Sequence, residues 1–467
     1  MQLNRFVACL LATHSLPTTE SVSVIPRAPV LFIKPETRAR VLRNAVKPLS
    51  VTPDDSPIVD KREFPAFNVP GAENLIYFDN AATTQKPRSV LDGMLEYYTN
   101  FCSNIHRSQH KLGFTASARY EHSREKVAEF INANSASEIV FTSGATDSIN
   151  LVANTWCTDN VKKGDAILLP ISEHNSNIVP WQLHAQRSHC DLHFIKITQN
   201  GDIDLDDYLE SLKKGNVKLV SISHASNVLG NIQPLKHVIR LAHEHGAKVM
   251  VDACQTLAHI KVNVRELDCD FLVGSAHKLY GPTGIGFLYA KKSILESMPV
   301  WKGGGGMIEK ITCDGFTVED IPHRFESGTP PVAQAIGLSE AIDFINKIGM
   351  QQITSHEHNL TSYLFDKLIK LGTVYTTLEN IQCGKQCAIL AFNVDDVNAF
   401  DLSTFLSMKN IALRAGQHCA HILHQLHLRV EQTLRVSLAM YNTKAEVDIF
   451  INQLCEAVKA LKEIKER

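Results

Sequence analysis

Short apolar runs recur along the middle of the chain, each ending in a polar residue or a glycine turn. Glu138-Ile139-Val140-Phe141-Thr142 reads as a strand, and Ser143-Gly144-Ala145-Thr146 then turns into a helix through Ile149, Leu151, Val152 and Trp156. Ala166 to Ile171, Lys248 to Asp252 and Phe271 to Gly274 are further apolar runs of strand length. Arg119 to Ile131 carries Val127, Phe130 and Ile131 on one helical face, and Lys444 to about Ile464 reads as a closing helix. Strands alternating with amphipathic helices predict an α/β fold. The expected organisation is a large domain over 61–335, its alternation running from about Tyr77 to Ala333, then a smaller α+β domain over 336–467. Residues 1–60 stand apart from both, and no internal repeat is evident.

The polar residues at the strand ends carry the candidate chemistry. Open α/β sheets bind ligands at the carboxyl ends of their strands. Lys278 follows the run Phe271 to Gly274 in Ser275-Ala276-His277-Lys278. An ammonium held there loses solvation and can become a nucleophilic amine able to form a Schiff base. Twenty-six residues upstream, Asp252 ends another apolar strand, room for one crossover and one further strand. An aspartate beside a Schiff-base lysine keeps the pyridine nitrogen of pyridoxal 5′-phosphate protonated. A solvated loop lysine and a helix-capping aspartate are the plain alternatives. Thr142-Ser143-Gly144-Ala145-Thr146 offers hydroxyls and free N–H groups to a phosphate, as many helix starts do. His174, after the strand Ala166 to Ile171, can stack on an aromatic ring and move protons near neutral pH, or simply hold a turn.

Two further segments lie downstream. In Arg414-Ala415-Gly416-Gln417-His418-Cys419, a cysteine on a glycine-containing loop has cationic neighbours that favour thiolate. In Leu434-Arg435-Val436-Ser437, an arginine inside an apolar run needs an anionic partner. A substrate carboxylate and a structural salt bridge both answer that need.

Taken together, these segments resemble the SufS-type (class II) PLP-dependent cysteine desulfurase and selenocysteine lyase family. The resemblance runs from about Phe64 to the C-terminus. It includes Tyr77-Phe78-Asp79-Asn80-Ala81-Ala82-Thr83, Asn104-Ile105-His106-Arg107, His224-Ala225-Ser226-Asn227 and Arg324-Phe325-Glu326-Ser327-Gly328-Thr329-Pro330. It implies the PLP fold type I, like aspartate aminotransferase, with a mostly parallel seven-stranded sheet. It implies that L-cysteine is converted to L-alanine with sulfur passed to an enzyme cysteine, for iron-sulfur cluster assembly. Selenocysteine lyase, or another fold-type-I enzyme of the kynureninase or aminotransferase kind, is the alternative.

Residue by residue, the resemblance makes Lys278 the cofactor lysine and Cys419 the sulfur acceptor. Asp252 pairs with the ring nitrogen, Gln255 with the phenolic oxygen, and His174 stacks on the ring. Thr146, Ser275, His277 and the Ala145 backbone hold the phosphate, and Thr329 reaches the phosphate of the other subunit of a homodimer. Arg435 and Asn227 hold the substrate, with Arg414 and His110 nearby. Two positions depart from the family pattern. Gln417 stands where a second histidine is common, and Ser108 where glycine is common after the His-Arg pair. The short loop around Cys419 favours delivery to a docked acceptor of the SufE or SufU type.

Composition agrees with a globular enzyme: 44% hydrophobic and 21% charged residues in 467, with a net charge of −2 that gives no case for nucleic acid. Eleven scattered cysteines point to a reducing compartment, and no metal site is expected, Cys383 and Cys387 reading as ordinary thiols. No apolar run approaches the roughly 20 residues needed to span a bilayer. Residues 1–60 lack an acid before Glu20 and carry Arg38, Arg40, Arg43 and Lys47. They read as a plastid or other organellar transit segment, a disordered extension, or a misassigned start on a cytoplasmic bacterial protein.

Overall fold

The central apolar runs form one seven-stranded sheet: β1 (Ile139–Thr142), β2 (Ala166–Pro170), β3 (Asp191–Ile195), β4 (Val217–Ser223), β5 (Lys248–Asp252), β6 (Phe271–Ser275) and β7 (Gly286–Ala290). The order across the sheet is β1-β7-β6-β5-β4-β2-β3. All strands are parallel except β7, which runs antiparallel between β1 and β6. These features come from a computed structural model that describes residues 57–72 and 74–466. The reading of residues 1–60 therefore falls almost wholly outside the described residues.

Alternation along each strand splits the core into two faces. Val249, Val251, Leu272, Val220 and Phe141 belong to one buried cluster; Met250, Phe271, Val273, Leu219 and Val140 belong to the other. Helices cover both faces, which is why the strands read as continuous apolar runs rather than as alternating ones. One consequence positions the site. Because β7 reverses between β1 and β6, the carboxyl ends of β1 and β6 emerge at the same edge as those of β5 and β4.

Two helices differ from the sequence expectation. The helix expected over Arg119 to Ile131 spans Lys111–Phe130, and its first turn is closed by the His110 ring, whose Nδ1 accepts the Gly113 N–H at 3.2 Å. Gly113 also makes room for Ser108: a Cβ on that glycine would lie 2.1 Å from the Ser108 Cβ. The serine that departs from the family pattern thus faces a residue without a side chain. The helix expected to run on to Trp156 covers Ala145–Asn154 and breaks at Thr155, which starts a second short helix, Trp156–Asn160.

A second sheet lies downstream: β8 (Thr373–Val374), β9 (Ile389–Asn393), β10 (Arg414–Gly416) and β11 (Thr433–Ser437), in the antiparallel order β8-β9-β11-β10. Its core includes Leu390, Phe392, Leu434 and Val436, packed against Val447, Phe450 and Leu454 of the closing helix Lys444–Glu466. The chain before β1 joins this sheet. Ile76–Tyr77 pairs in parallel with Ile411–Ala412, and the Ser437 N–H donates to the Phe78 carbonyl at 2.8 Å. Just upstream, Phe64 is fully buried and meets Tyr441 edge-on at 4.7 Å, Phe344 at 5.6 Å and Phe67 at 6.4 Å.

That aromatic cluster fastens residues 60–67 onto the core. Phe64→Ala is expected to cost about 3–5 kcal/mol through lost burial and the cavity left behind. Equilibrium denaturation with and without the change measures it; a cost under about 1 kcal/mol would show that the segment contributes no packing.

Candidate active site

The carboxyl edge of the large sheet opens into a cavity of about 300 Å³. Lys278, Asp252, Gln255, His174, Ala145, Thr146, Ser275, His277, Asn227, Arg414, Arg435 and Cys419 all line it. Segments from 81 to 435 in sequence thus converge on one volume. Thr329 and His110 are the two expected site residues outside it. Thr329 lines a separate cavity with His106, Arg107 and Gly305, and His110 is occupied as a helix cap.

Lys278 ends a single 3₁₀ turn, Ala276–Lys278, directly after β6. The His277 carbonyl in that turn is held by a ring of donors. Thr83 Oγ1 reaches it at 3.0 Å, the Thr84 N–H at 3.1 Å and Lys86 Nζ at 3.0 Å. Burial pushes the Lys86 ammonium down to about 8. Asp252 lies on the neighbouring strand, paired in register with Val273. Its Oδ1 accepts the Cys254 N–H at 2.9 Å, and Oδ2 has no hydrogen-bond partner among the described residues. Gln255 Nε2 donates to the Ala81 carbonyl at 3.1 Å.

The helix Ala145–Asn154 starts at this edge. Gly144, its N-cap, has φ 154° and supplies no side chain to cap the first N–H groups. The Ala145 N–H reaches Ser275 Oγ at 2.9 Å, and Thr146 Oγ1 donates to Ser176 Oγ at 2.9 Å. The approach is close because Gly286 lies beneath: a Cβ there would fall 2.6 Å from the Gly144 Cα. Uncapped N–H groups, three hydroxyls and a backbone cradle make an anion site. With a carboxylate oxygen free on one side and an amine on the other, the donor set fits a phosphorylated pyridine aldehyde.

His174 Nδ1 accepts the Ser176 N–H at 3.1 Å, which leaves the neutral ring's proton on Nε2. Burial, and then the nearby Lys278 charge, lowers its pKa to about 4. His277 and His224 are also lowered to about 4, each chiefly by burial. Beneath His174 sits an acid that sequence reasoning did not single out. Glu173 is buried and accepts from the Ser223 N–H at 2.9 Å, Ser223 Oγ at 2.5 Å and Asn177 Nδ2 at 2.6 Å. Burial raises its pKa to about 7 despite those bonds.

Arg435 and Cys419 face this set from the small sheet. Arg435 is 2% exposed. Its Nη2 reaches Asp79 Oδ1 at 3.1 Å and its Nη1 donates to the Asn227 carbonyl at 2.9 Å. Its Nε is buried with no partner. Arg414, opposite Arg435 in the sheet register, takes the other Asp79 oxygen at 3.0 Å. Asp79 therefore anchors both guanidinium groups, and nothing in the sequence around it signals that role. The Cys419 side chain is exposed, but its backbone is fixed. The Asn175 N–H donates to the Cys419 carbonyl at 2.7 Å, and Asn227 Nδ2 donates to the His418 carbonyl at 2.7 Å. His418 and Cys419 are consecutive left-handed residues, φ 53° and 56°. Such conformations are costly for residues with a Cβ and mark places where geometry is imposed. The His418 ring is buried, its Nε2 on Thr433 Oγ1 at 2.9 Å, and its pKa is lowered to about 2, first by burial and then by Arg435.

Comparison with known proteins agrees with this geometry. The sequence profile of the aminotransferase class-V family matches residues 76–450. A chain described as a probable cysteine desulfurase from Synechocystis is 43% identical over 400 residues, covering 85% of this chain and 95% of that one. The cysteine desulfurase of Escherichia coli strain K12 is 42% identical over 381 residues, covering 81% and 92%. Among solved structures, the apo cysteine desulfurase of Thermococcus onnurineus superposes with a TM-score of 0.81 at 36% identity, covering 86% of this chain and 98% of that one. An Escherichia coli cysteine desulfurase in an S-sulfonic acid form gives 0.79 at 37% identity, with the same coverages.

The buried histidines make stability depend on pH. His174, His224, His277 and His418 have folded pKa values below the unfolded value of 6.5. The unfolded chain then takes up protons that the folded one refuses, so stability is full above 6.5 and is lost as pH falls through that window. Glu173, raised from 4.5, has the opposite sign between 4.5 and about 7, as do the raised Glu340, Asp202 and Asp366, but the lowered histidines, which include His184, His323, His424 and His427, outnumber them. The urea midpoint is expected to drop on acidification from about pH 6.5 to about pH 5. A midpoint that is flat or rising over that range contradicts neutral, buried imidazoles.

Proposed function

This chain belongs to the aminotransferase class-V family as a PLP-dependent cysteine desulfurase, and from that premise we propose which of its residues carry the reaction. The observation that weighs most is that Arg435, with a buried and unpartnered Nε, and Cys419 line the same cavity as Lys278 and Asp252. An aminotransferase needs the last two; a desulfurase needs a thiol within reach of them as well.

When bound, pyridoxal phosphate supplies an electron sink conjugated to the substrate α-carbon. Lys278 would hold it. Asp252 would keep a proton on the ring nitrogen, His174 would cover the ring face, and Gln255 would bond the phenolic oxygen. Ser275, Thr146, His277 and the Ala145 N–H would take the phosphate. Arg435 binds the carboxylate of L-cysteine; its Nε is the spare donor, and Asp79 behind it fixes the guanidinium plane. Asn227 links the Arg435 side chain to the backbone of the cysteine loop, so carboxylate position and thiol position are set together.

Lys278 Nζ, once released, takes the α-proton. The neutral His174 ring carries a donatable proton on Nε2. Cys419 Sγ attacks the substrate sulfur: an S–S bond forms, the C–S bond breaks, and protonation of the carbon left behind gives L-alanine. The backbone bonds on Cys419 and His418 keep the resulting persulfide at the cavity mouth. A protein acceptor of the SufE or SufU type must therefore bring its own thiolate there, for use in iron-sulfur assembly.

A homodimer completes this reading. Leu95 and Tyr98 on the helix Arg88–Asn100 and Phe114 on the helix Lys111–Phe130 are exposed large apolar side chains that association would cover. Thr329, apart from the phosphate site of its own chain, is the hydroxyl assigned to the partner's. Among the described residues no helix is long and apolar enough to cross a membrane.

Two variants separate holding the cofactor from transferring sulfur. Cys419→Ala should keep the visible absorption of the bound cofactor and lose multiple-turnover alanine formation by at least about 100-fold. Lys278→Ala should lose both. Normal turnover in either variant contradicts the assigned role.

An acceptor protein should accelerate steady-state alanine formation while leaving the first turnover, read by rapid quench, at its basal rate. An unchanged steady state with every acceptor tried, or an accelerated first turnover, rules out sulfur clearance from Cys419 as the slow step.

A further inference from the structure

One cluster of metal-ligating side chains lies outside the site described above. His106, Glu121 and His323 each offer one ligand atom, and the three atoms all lie within 4.8 Å of one another. Zinc held by two imidazoles and a carboxylate has bonds of about 2.0–2.2 Å, so its tetrahedral ligands stand about 3.3 Å apart.

Three observations show that the convergence is built. First, the carboxylate is oriented from behind. Arg124, itself 1% exposed, donates from Nε to Glu121 Oε2 at 2.9 Å and from Nη2 to Oε1 at 3.3 Å, and Oε1 faces His106 Nε2 at 2.9 Å. The Arg124 charge is offset by Glu326, bonded at 2.6 and 2.9 Å, so the guanidinium orients Glu121 without leaving an uncompensated cation. An outer group that fixes a ligand in this way is what metal centres use. Second, the His323 ring packs against the His106 ring, centroids 4.8 Å apart, and makes no hydrogen bond among the described residues. It is a half-buried imidazole with unused nitrogens. Third, His106 is held at φ 66°, its N–H donating to Ser117 Oγ at 2.8 Å. A left-handed histidine is strain maintained by its surroundings.

His106 and His323 also line a cavity of about 520 Å³ that they share with Thr329 and Glu319. Arg107 Nη2 donates to the Ile308 carbonyl at 3.0 Å.

We propose that His106, Glu121 and His323 bind one divalent metal ion of the zinc class. Two neutral imidazoles and one carboxylate suit a borderline cation rather than calcium or magnesium, which take oxygen ligands. The inference does not depend on the sulfur-transfer assignments, because it is read by binding and not by alanine formation.

The test uses holoenzyme carrying Cys419→Ser, which removes the exposed active-site thiol as a rival ligand. After chelator treatment it is titrated with zinc against a chromophoric chelator, and crystals soaked in zinc are measured at the zinc edge. The expected result is one ion per chain, an anomalous peak between His106 and Glu121, and an affinity at least tenfold weaker in His323→Phe, which keeps the ring packing. Thermal melting of that variant without metal confirms that it folds. An anomalous map with peaks only at other cysteines or histidines, no zinc retained by the parent, or equal affinity in His323→Phe overturns the proposal.

Discussion

Arg435 is buried with only two of its three nitrogens satisfied, and much of the active-site geometry depends on that arrangement. One bond goes to Asp79, before the first strand of the large sheet; the other goes to Asn227, in the loop that follows β4. The arginine itself sits on the small sheet. Burying a guanidinium is expensive unless its charge is paired, and removing Asp79 would leave it uncompensated. Burial lowers its pKa to about 10, which still leaves it charged at neutral pH. The unpartnered Nε is what remains for a ligand. A carboxylate arriving there would find a donor whose direction is already fixed, with little left to order.

The same economy of motion governs the thiol. The carbonyls of His418 and Cys419 are each held by a side chain or backbone from the large-sheet edge, and both residues are forced into left-handed conformations. A loop so constrained cannot carry sulfur far. It presents Sγ beside Arg435, whose side chain is bonded to the same Asn227 that holds the loop. Around it burial holds His174, His277 and His418 toward the neutral form, which keeps cationic charge down beside the lysine and arginines.

What the sequence revealed follows from which contacts are local. Asp252 and Lys278 were legible because strands buried on both faces leave long apolar runs, and the polar residue that ends each run lands at the ligand-binding edge. Cys419 was legible through its neighbours in one short segment. Arg435 left two answers open, a salt bridge or a substrate carboxylate; the bridge to Asp79 is present, and the Nε beside it is without a partner. Other features are long-range and carry no local signature. Asp79 reaches Arg414 and Arg435 across more than 300 residues of chain. The donors on the His277 carbonyl come from Thr83 and Lys86, and Glu173 is defined by Ser223. His110, placed near the site by resemblance, caps a helix in this chain, because its ring is the group that closes the turn beginning at Lys111. That cap also explains why the helix starts earlier than its apolar face suggested.

The central claim is that the cavity joining Lys278, Arg435 and Cys419 transfers sulfur to Cys419. Its most direct test is to mix holoenzyme with one equivalent of L-cysteine, quench, block thiols by alkylation, and map the added sulfur by peptide mass spectrometry. The account predicts a persulfide on the peptide containing Cys419, in amount matching the alanine released, with the other exposed cysteines unmodified. Alanine released with no sulfur on Cys419, or with the sulfur spread over Cys102, Cys313, Cys383 and Cys455, would contradict it.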